Sequence, residues 1–102
     1  MKRPLLPKHA RMLSSLGENI RLARLRRELS SEQIAERAGI ARGSLVKVEK
    51  GDEGVALGIY FRVLIALNMA DDILLLAKDD ILGRKLQDIG LTTRESAPKR
   101  EQ

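Results

Sequence analysis

Arg42, Gly43, Ser44, Lys47 and Lys50 fall within nine residues of one another and carry the side chains best suited to recognising a polyanion. An arginine can donate two parallel hydrogen bonds to the edge of a guanine, and a serine can bond either a base or a phosphate. On a helix from about Arg42 to Lys50, Leu45 and Val48 turn inward and leave these residues on the outer side or its edges. That side is small at its N-terminal end, as a helix needs if its end is to approach base edges closely.

Other chemistries have little to work with. The chain contains no cysteine, which removes disulfides, thiolate nucleophiles and thiol metal sites. His9 is the sole histidine and has no acidic cluster beside it, so no metal site is expected. No nucleophile pairs with a base and no glycine-rich loop could cradle a phosphate. A binding protein is therefore expected rather than an enzyme, with no cofactor and no small-molecule substrate.

The elements that must hold this helix precede it. Ser30 can accept a hydrogen bond from a free backbone N–H, and Gln33 stands three residues on, as in a capping box. A short helix should therefore follow Ser30 and run to Ala38, with Ile34, Ala35 and Ala38 as a thin apolar face. Gly39 supplies the left-handed backbone that ends it, and Ile40 plugs the corner before the next helix. The stretch LSSEQIAERAGIARGSLVKVEKG, Leu29 to Gly51, thus has the layout of a helix-turn-helix. Ala41, at the start of the second helix, cannot cap it, and a lost cap costs about 1 kcal/mol.

Upstream, Leu16, Ile20 and Ala23 recur at helical spacing and predict a first helix from Ser14 or Ser15 to about Glu28, capped by one of those serines. Residues 1–13, interrupted by Pro4 and Pro7, read as a flexible arm that begins irregular and could turn helical near Lys8 or His9. Downstream, Leu57, Phe61, Leu64 and Leu67 predict a fourth helix closing the core, with Asn68 in the left-handed position at its end. Tyr60 and Phe61 are the two aromatic residues, and one or both should fill core volume.

A fifth helix is expected in ADDILLLAK, where Ile73, Leu74, Leu75 and Leu76 form an apolar run. One short helix in a small domain cannot bury all four, which favours a homodimer contact over packing within one chain. A sixth segment, DDILGRKLQDIG, carries Ile81, Leu82, Leu86 and Ile89 and could extend that interface. The chain then divides into the arm, a helix-turn-helix domain at 14–77, a helical extension at 78–91 and a polar tail at 92–102 expected to be disordered.

Charge is divided in the same sense. Residues 1–50 hold twelve Lys and Arg against five Glu, a balance of +7, and residues 51–102 hold seven against nine acids, a balance of −2. A field of that shape draws polyanions to one side of the molecule. With no signal-peptide core and no apolar stretch of membrane length, a cytoplasmic protein with no membrane partner is expected.

Across Leu16 to Asn68 the motifs IRLAR, LSSEQIAERAGIARGSLVKVEKG and VALGIYFRVLIALN resemble the Xre or lambda-repressor-like helix-turn-helix family. The resemblance implies an all-α, five-helix domain, here with a C-terminal helical extension. It implies that Arg42, Gly43, Ser44 and Lys47 line the groove of double-stranded DNA, that Ser31 and Lys50 lie near phosphates with Gln33 also among the DNA-binding residues, and that Arg24 pairs with Glu49 between helices one and three. Two departures weaken the pattern: Ser31 stands where the family usually has glutamine, and Ala41 where it has Ser or Thr. The stretches EKGDEGVALGIYFRVLIALNM and DDILGRKLQDIGLTTR are similar to a narrower group, the HipB-like antitoxins encoded beside HipA-type kinases. Membership would imply a homodimeric repressor of its own operon, bound to an operator palindrome and to a HipA-type kinase toxin.

Overall fold

The structure, a computed structural model, describes residues 2–90 of the 102-residue chain. They form an all-α fold of six helical elements: α1 (Pro7–Arg26), α2 (Ser31–Ala38), α3 (Arg42–Glu49), α4 (Leu57–Ala66), a 3-10 segment (Ala70–Leu75) and α5 (Ile81–Asp88). The described residues contain no strand. The polar tail assigned to 92–102 lies outside the described residues.

Helix α1 starts earlier than the serines suggest. Pro7 occupies its first turn, where the missing N–H needs no partner and the fixed φ already suits a helix, and Leu6 makes the extended entry. Residues 7–13, assigned to the arm, are therefore helical, and Ser14 and Ser15 lie inside α1 instead of capping it. The proline that argued for irregular chain is the residue that starts the helix.

Four successive helices stop in the same way. Glu28, Gly39, Gly51 and Asn68 have φ values of 55°, 71°, 72° and 62°, and each turns the chain so that the next N–H groups reach back to the last carbonyls. After α3, for example, the Gly51 N–H bonds the Val48 carbonyl at 3.0 Å and the Asp52 N–H bonds the Lys47 carbonyl at 3.0 Å. Short helices with abrupt ends are what let four of them cross within so few residues.

The core joins Ile20 and Ala23 of α1, Ile34, Ala35 and Ala38 of α2, Leu45 and Val48 of α3, and Tyr60, Val63 and Leu67 at α4 and its end. Helix α1 packs on α3, α2 packs on both α3 and α4, and α4 also meets α3 and the 3-10 segment. Helix α5 belongs to none of these packing pairs.

Two apolar stripes differ from the sequence expectation. Leu16 and Leu57 are 42% and 61% exposed, and Phe61 and Leu64 are half-buried, while Tyr60, Val63 and Leu67 take the inner side of α4. Nearly every residue of LGIYFRVLIA is apolar, so spacing alone could not say which stripe faces inward. On α1 the inward stripe is Gly17, Ile20 and Ala23, because Gly17 lets α1 approach α3 and turns the neighbouring Leu16 outward.

The ADDILLLAK segment is also corrected. It forms a six-residue 3-10 helix, not an α-helix, with Ile73 half-buried and Leu74, Leu75 and Leu76 exposed. With three residues per turn, consecutive side chains point to different sides, so Ile73 faces inward while Leu74 and Leu75 stay outside, and Leu76 follows the segment.

Candidate nucleic-acid interface

Helix α2 is held by a complete capping box. Ser30 Oγ accepts the Gln33 N–H at 3.1 Å, and Gln33 Oε1 accepts the Ser30 N–H at 2.8 Å. The Gln33 carbonyl oxygen is thereby used within the protein, while its exposed amide NH₂ keeps two donors for an outside acceptor. Ser31, at the first position of α2, is half-buried.

Helix α3 is anchored by its inner side alone. Leu45 and Val48 are fully buried, and Arg42, Gly43, Lys47 and Lys50 are exposed, with Ser44 half-buried at the edge. A β-carbon on Gly43 would meet nothing within 4 Å, so the first turn of the helix is open on its outer side. Ala41 enters the helix in an extended conformation with no side-chain cap, leaving orphan N–H groups at that end. Among the described residues, Arg42, Lys47 and Lys50 make no ion pair.

Arg24 and Glu49 make a two-point ion pair between α1 and α3. Arg24 Nε and Nη2 donate to the two carboxylate oxygens at 2.7 and 3.1 Å, and Nη1 donates to the Leu29 carbonyl at 3.0 Å. Both side chains are nearly buried, at 12% and 10% exposed. The Glu49 hydrogen bond raises the pKa of Arg24 against the opposing effect of burial, and the Glu49 charge adds to the rise. The guanidinium thus joins α1, the turn after it and the far end of α3, and is unavailable to an external anion.

A second tether was not legible locally. The Tyr60 hydroxyl donates to the Asp52 carbonyl at 2.8 Å, pinning the turn after α3 onto α4. Burial first, then the nearby Asp52 charge, pushes the phenol pKa up. The sequence offered Tyr60, Phe61 or both for the core but gave no sign of this contact, because a backbone carbonyl eight residues away is brought to it by packing alone.

The structure thus brings Arg42, Gly43, Ser44, Lys47 and Lys50 onto one helix and sets Ser31 and Gln33 at the start of the helix before it. Ile81 and Leu82 are exposed on α5, well apart in sequence from these groups. An α-helix with its side chains is about 10–12 Å across, and the DNA major groove is about 12 Å wide. A helix attached by one side, with small residues and unpaired cations on the other, has the dimensions and the donors for such a groove.

The fold and this arrangement define an all-α bundle of helix-turn-helix type. No known protein family matches the chain, and no curated protein matches it either. Among the described residues, no helix is long and apolar enough to cross a membrane.

Proposed function

We propose that this protein is a sequence-specific DNA-binding repressor, acting in the cytoplasm as a homodimer on an operator palindrome. Arg42, Gly43, Ser44 and Lys47 read base edges in the major groove, and Ser31, Gln33 and Lys50 contact phosphates. The carrying observation is the exposed, unpaired outer side of α3 above two fully buried anchors. The basic N-terminal half steers DNA to that side. A dimer places its two reading helices on half-sites about 34 Å apart, or a multiple of that distance.

Within that class we read the chain as the HipB-like antitoxin of a toxin–antitoxin pair, partnered by a HipA-type kinase toxin and exerting no catalysis of its own. The sequence resemblances in Glu49–Met69 and Asp79–Arg94 support this narrower reading.

Titration of the full chain with duplex from ahead of its own reading frame, and with random duplex, at moderate salt tests the DNA assignment. Preference for the former supports it. The uncapped Ala41 favours one rival, a protein-interaction adaptor with weakened DNA binding, for which both duplexes would bind alike. Co-purification with a kinase expressed from an adjoining reading frame tests the antitoxin assignment.

A further inference from the structure

We infer that two copies of the chain pair by exchanging α5: the helix of one protomer lies in an apolar groove of its partner, and the partner returns the same contact. This names the interface of the homodimer proposed above and rests on that reading for the existence of a dimer.

The groove runs between the first half of α1, the start of α4 and the 3-10 segment. It consists of two adjoining hollows of about 290 and 120 Å³ that share Leu16, Leu57 and Tyr60. Val55 extends one end, and Ile73 and Leu76 close the other. Leu16, Leu57, Val55, Ile73 and Leu76 are residues that the core left half-covered or exposed, and Tyr60 forms part of the groove's buried floor. None of the lining residues belongs to α2 or α3, so filling the groove leaves the reading helix free.

The occupant is α5 because its shape, charge and tether suit the site. Ile81, Leu82 and Ile89 are 54%, 67% and 71% exposed, on a helix that takes no part in the main packing pairs of the described residues. Its basic residues are not equivalent. Arg84 is held by Asp79 at 2.7 Å, whereas Lys85, one helical turn from Ile81 and Ile89, has no acidic partner among the described residues. The groove carries acids at both ends, Asp52 and Glu53 at one and Asp72 at the other, and none of them is in an ion pair among the described residues. An apolar stripe that carries one lysine between Ile81 and Ile89 therefore meets an apolar trough with carboxylates at its ends.

The hinge favours the partner's groove over the chain's own. Only Leu76–Asp80 separate the 3-10 segment from α5, and Ala77 holds a φ of 59°, which an L-residue with a β-carbon adopts at a cost. Short, strained hinges promote exchange between copies, since extending the hinge relieves what folding back would worsen. The contact is reciprocal, so it closes at two protomers and each dimer fills two grooves.

Because the chain has no cysteine, the exchange can be read by cross-linking. Full-length Leu57→Cys and Leu82→Cys proteins are mixed and mildly oxidised without DNA, then resolved on a non-reducing gel. We expect a covalent dimer that requires both variants. Disulfides formed only by one variant with itself, or none despite dimers in sedimentation, would overturn the exchange. In the doubly substituted chain, a disulfide within the monomer would assign the groove to the chain's own α5 and overturn it equally. Leu82→Asp should raise the dimer dissociation constant about 100-fold with helix content unchanged. Lys85→Glu should weaken the dimer and Asp72→Lys should restore it; an unchanged constant in these variants counts against the proposal. Binding of monomeric Leu82→Asp protein to a single half-site, measured separately, tests the DNA reading whatever the cross-links show.

Discussion

Gly17 and Gly51 stand against each other where α1 crosses the end of α3: a β-carbon on Gly17 would lie 2.6 Å from the Gly51 backbone nitrogen, and one on Gly51 would run into the Leu13 carbonyl. Both obstacles are backbone and cannot rotate away. Gly17→Ala should therefore destabilise the protein by about 3 kcal/mol, at the upper end of the overpacking range. Gly51→Ala should cost more, because its φ of 72° adds a left-handed penalty of about 1–2 kcal/mol. Gly43→Ala is the contrasting case, with open space and a helical backbone, and should add roughly 0.5–1 kcal/mol. Urea unfolding of the three variants checks the order.

The Arg24–Glu49 pair is nearly buried, so losing one partner strands the other's charge. Glu49→Ala should cost roughly 3 kcal/mol. Arg24→Met combined with Glu49→Leu should recover most of that loss, since no unpaired charge remains. A thermal melt of the double variant no better than that of Glu49→Ala would show that the pair contributes through something other than charge.

Tyr60 predicts a loss of stability in alkali. Its pKa is raised in the folded protein, so the folded state favours the neutral phenol. The stabilisation is fully present below the unfolded-state pKa of about 10 and disappears as pH rises through the higher folded value. Ionisation would also remove the proton donated to the Asp52 carbonyl. Tyrosinate absorbance can follow this, because the chain has one Tyr and no Trp. Tyr60→Phe should lower stability by about 1 kcal/mol at neutral pH and flatten this alkaline decline.

On DNA, Arg42→Ala should weaken operator binding by about 1–3 kcal/mol while sparing random duplex. Lys50→Ala should weaken both similarly and lower the steepness of the salt dependence by about one charge. Equal losses on the two duplexes for Arg42→Ala would remove its base-reading role.

Two helix ends can be improved. Ala41→Ser supplies the missing cap of α3 and should add about 1 kcal/mol. Glu28→Gly relieves a left-handed glutamate after α1 and should add about 1 kcal/mol. Both gains are measurable by denaturant titration, and Ala41→Ser should leave helix α3 otherwise unchanged.

Much of the fold was legible because its signals are local. Ser30 and Gln33 sit at capping-box spacing, Gly39 and Asn68 mark left-handed ends, and Ile34, Ala35, Ala38, Leu45 and Val48 recur with a helical period. A cap or a turn depends on neighbours within a few residues, so the sequence contains all of its parts. The beginning of α1 was not legible, because a proline can either exclude a helix or begin one, and only Leu6 adopting the extended entry decides between them.

From the sequence by itself came the all-α class, the helix-turn-helix with its order of elements, and the collection of cations on one short helix. The tertiary structure alone decided which stripe of α4 faces inward and that Leu16 and Leu57 line a groove in place of the core. The reason is physical: where almost every residue of a helix is apolar, its rotation is chosen by what its neighbours can accommodate. On α4 the Tyr60 bond to the Asp52 carbonyl is one of the contacts that set it.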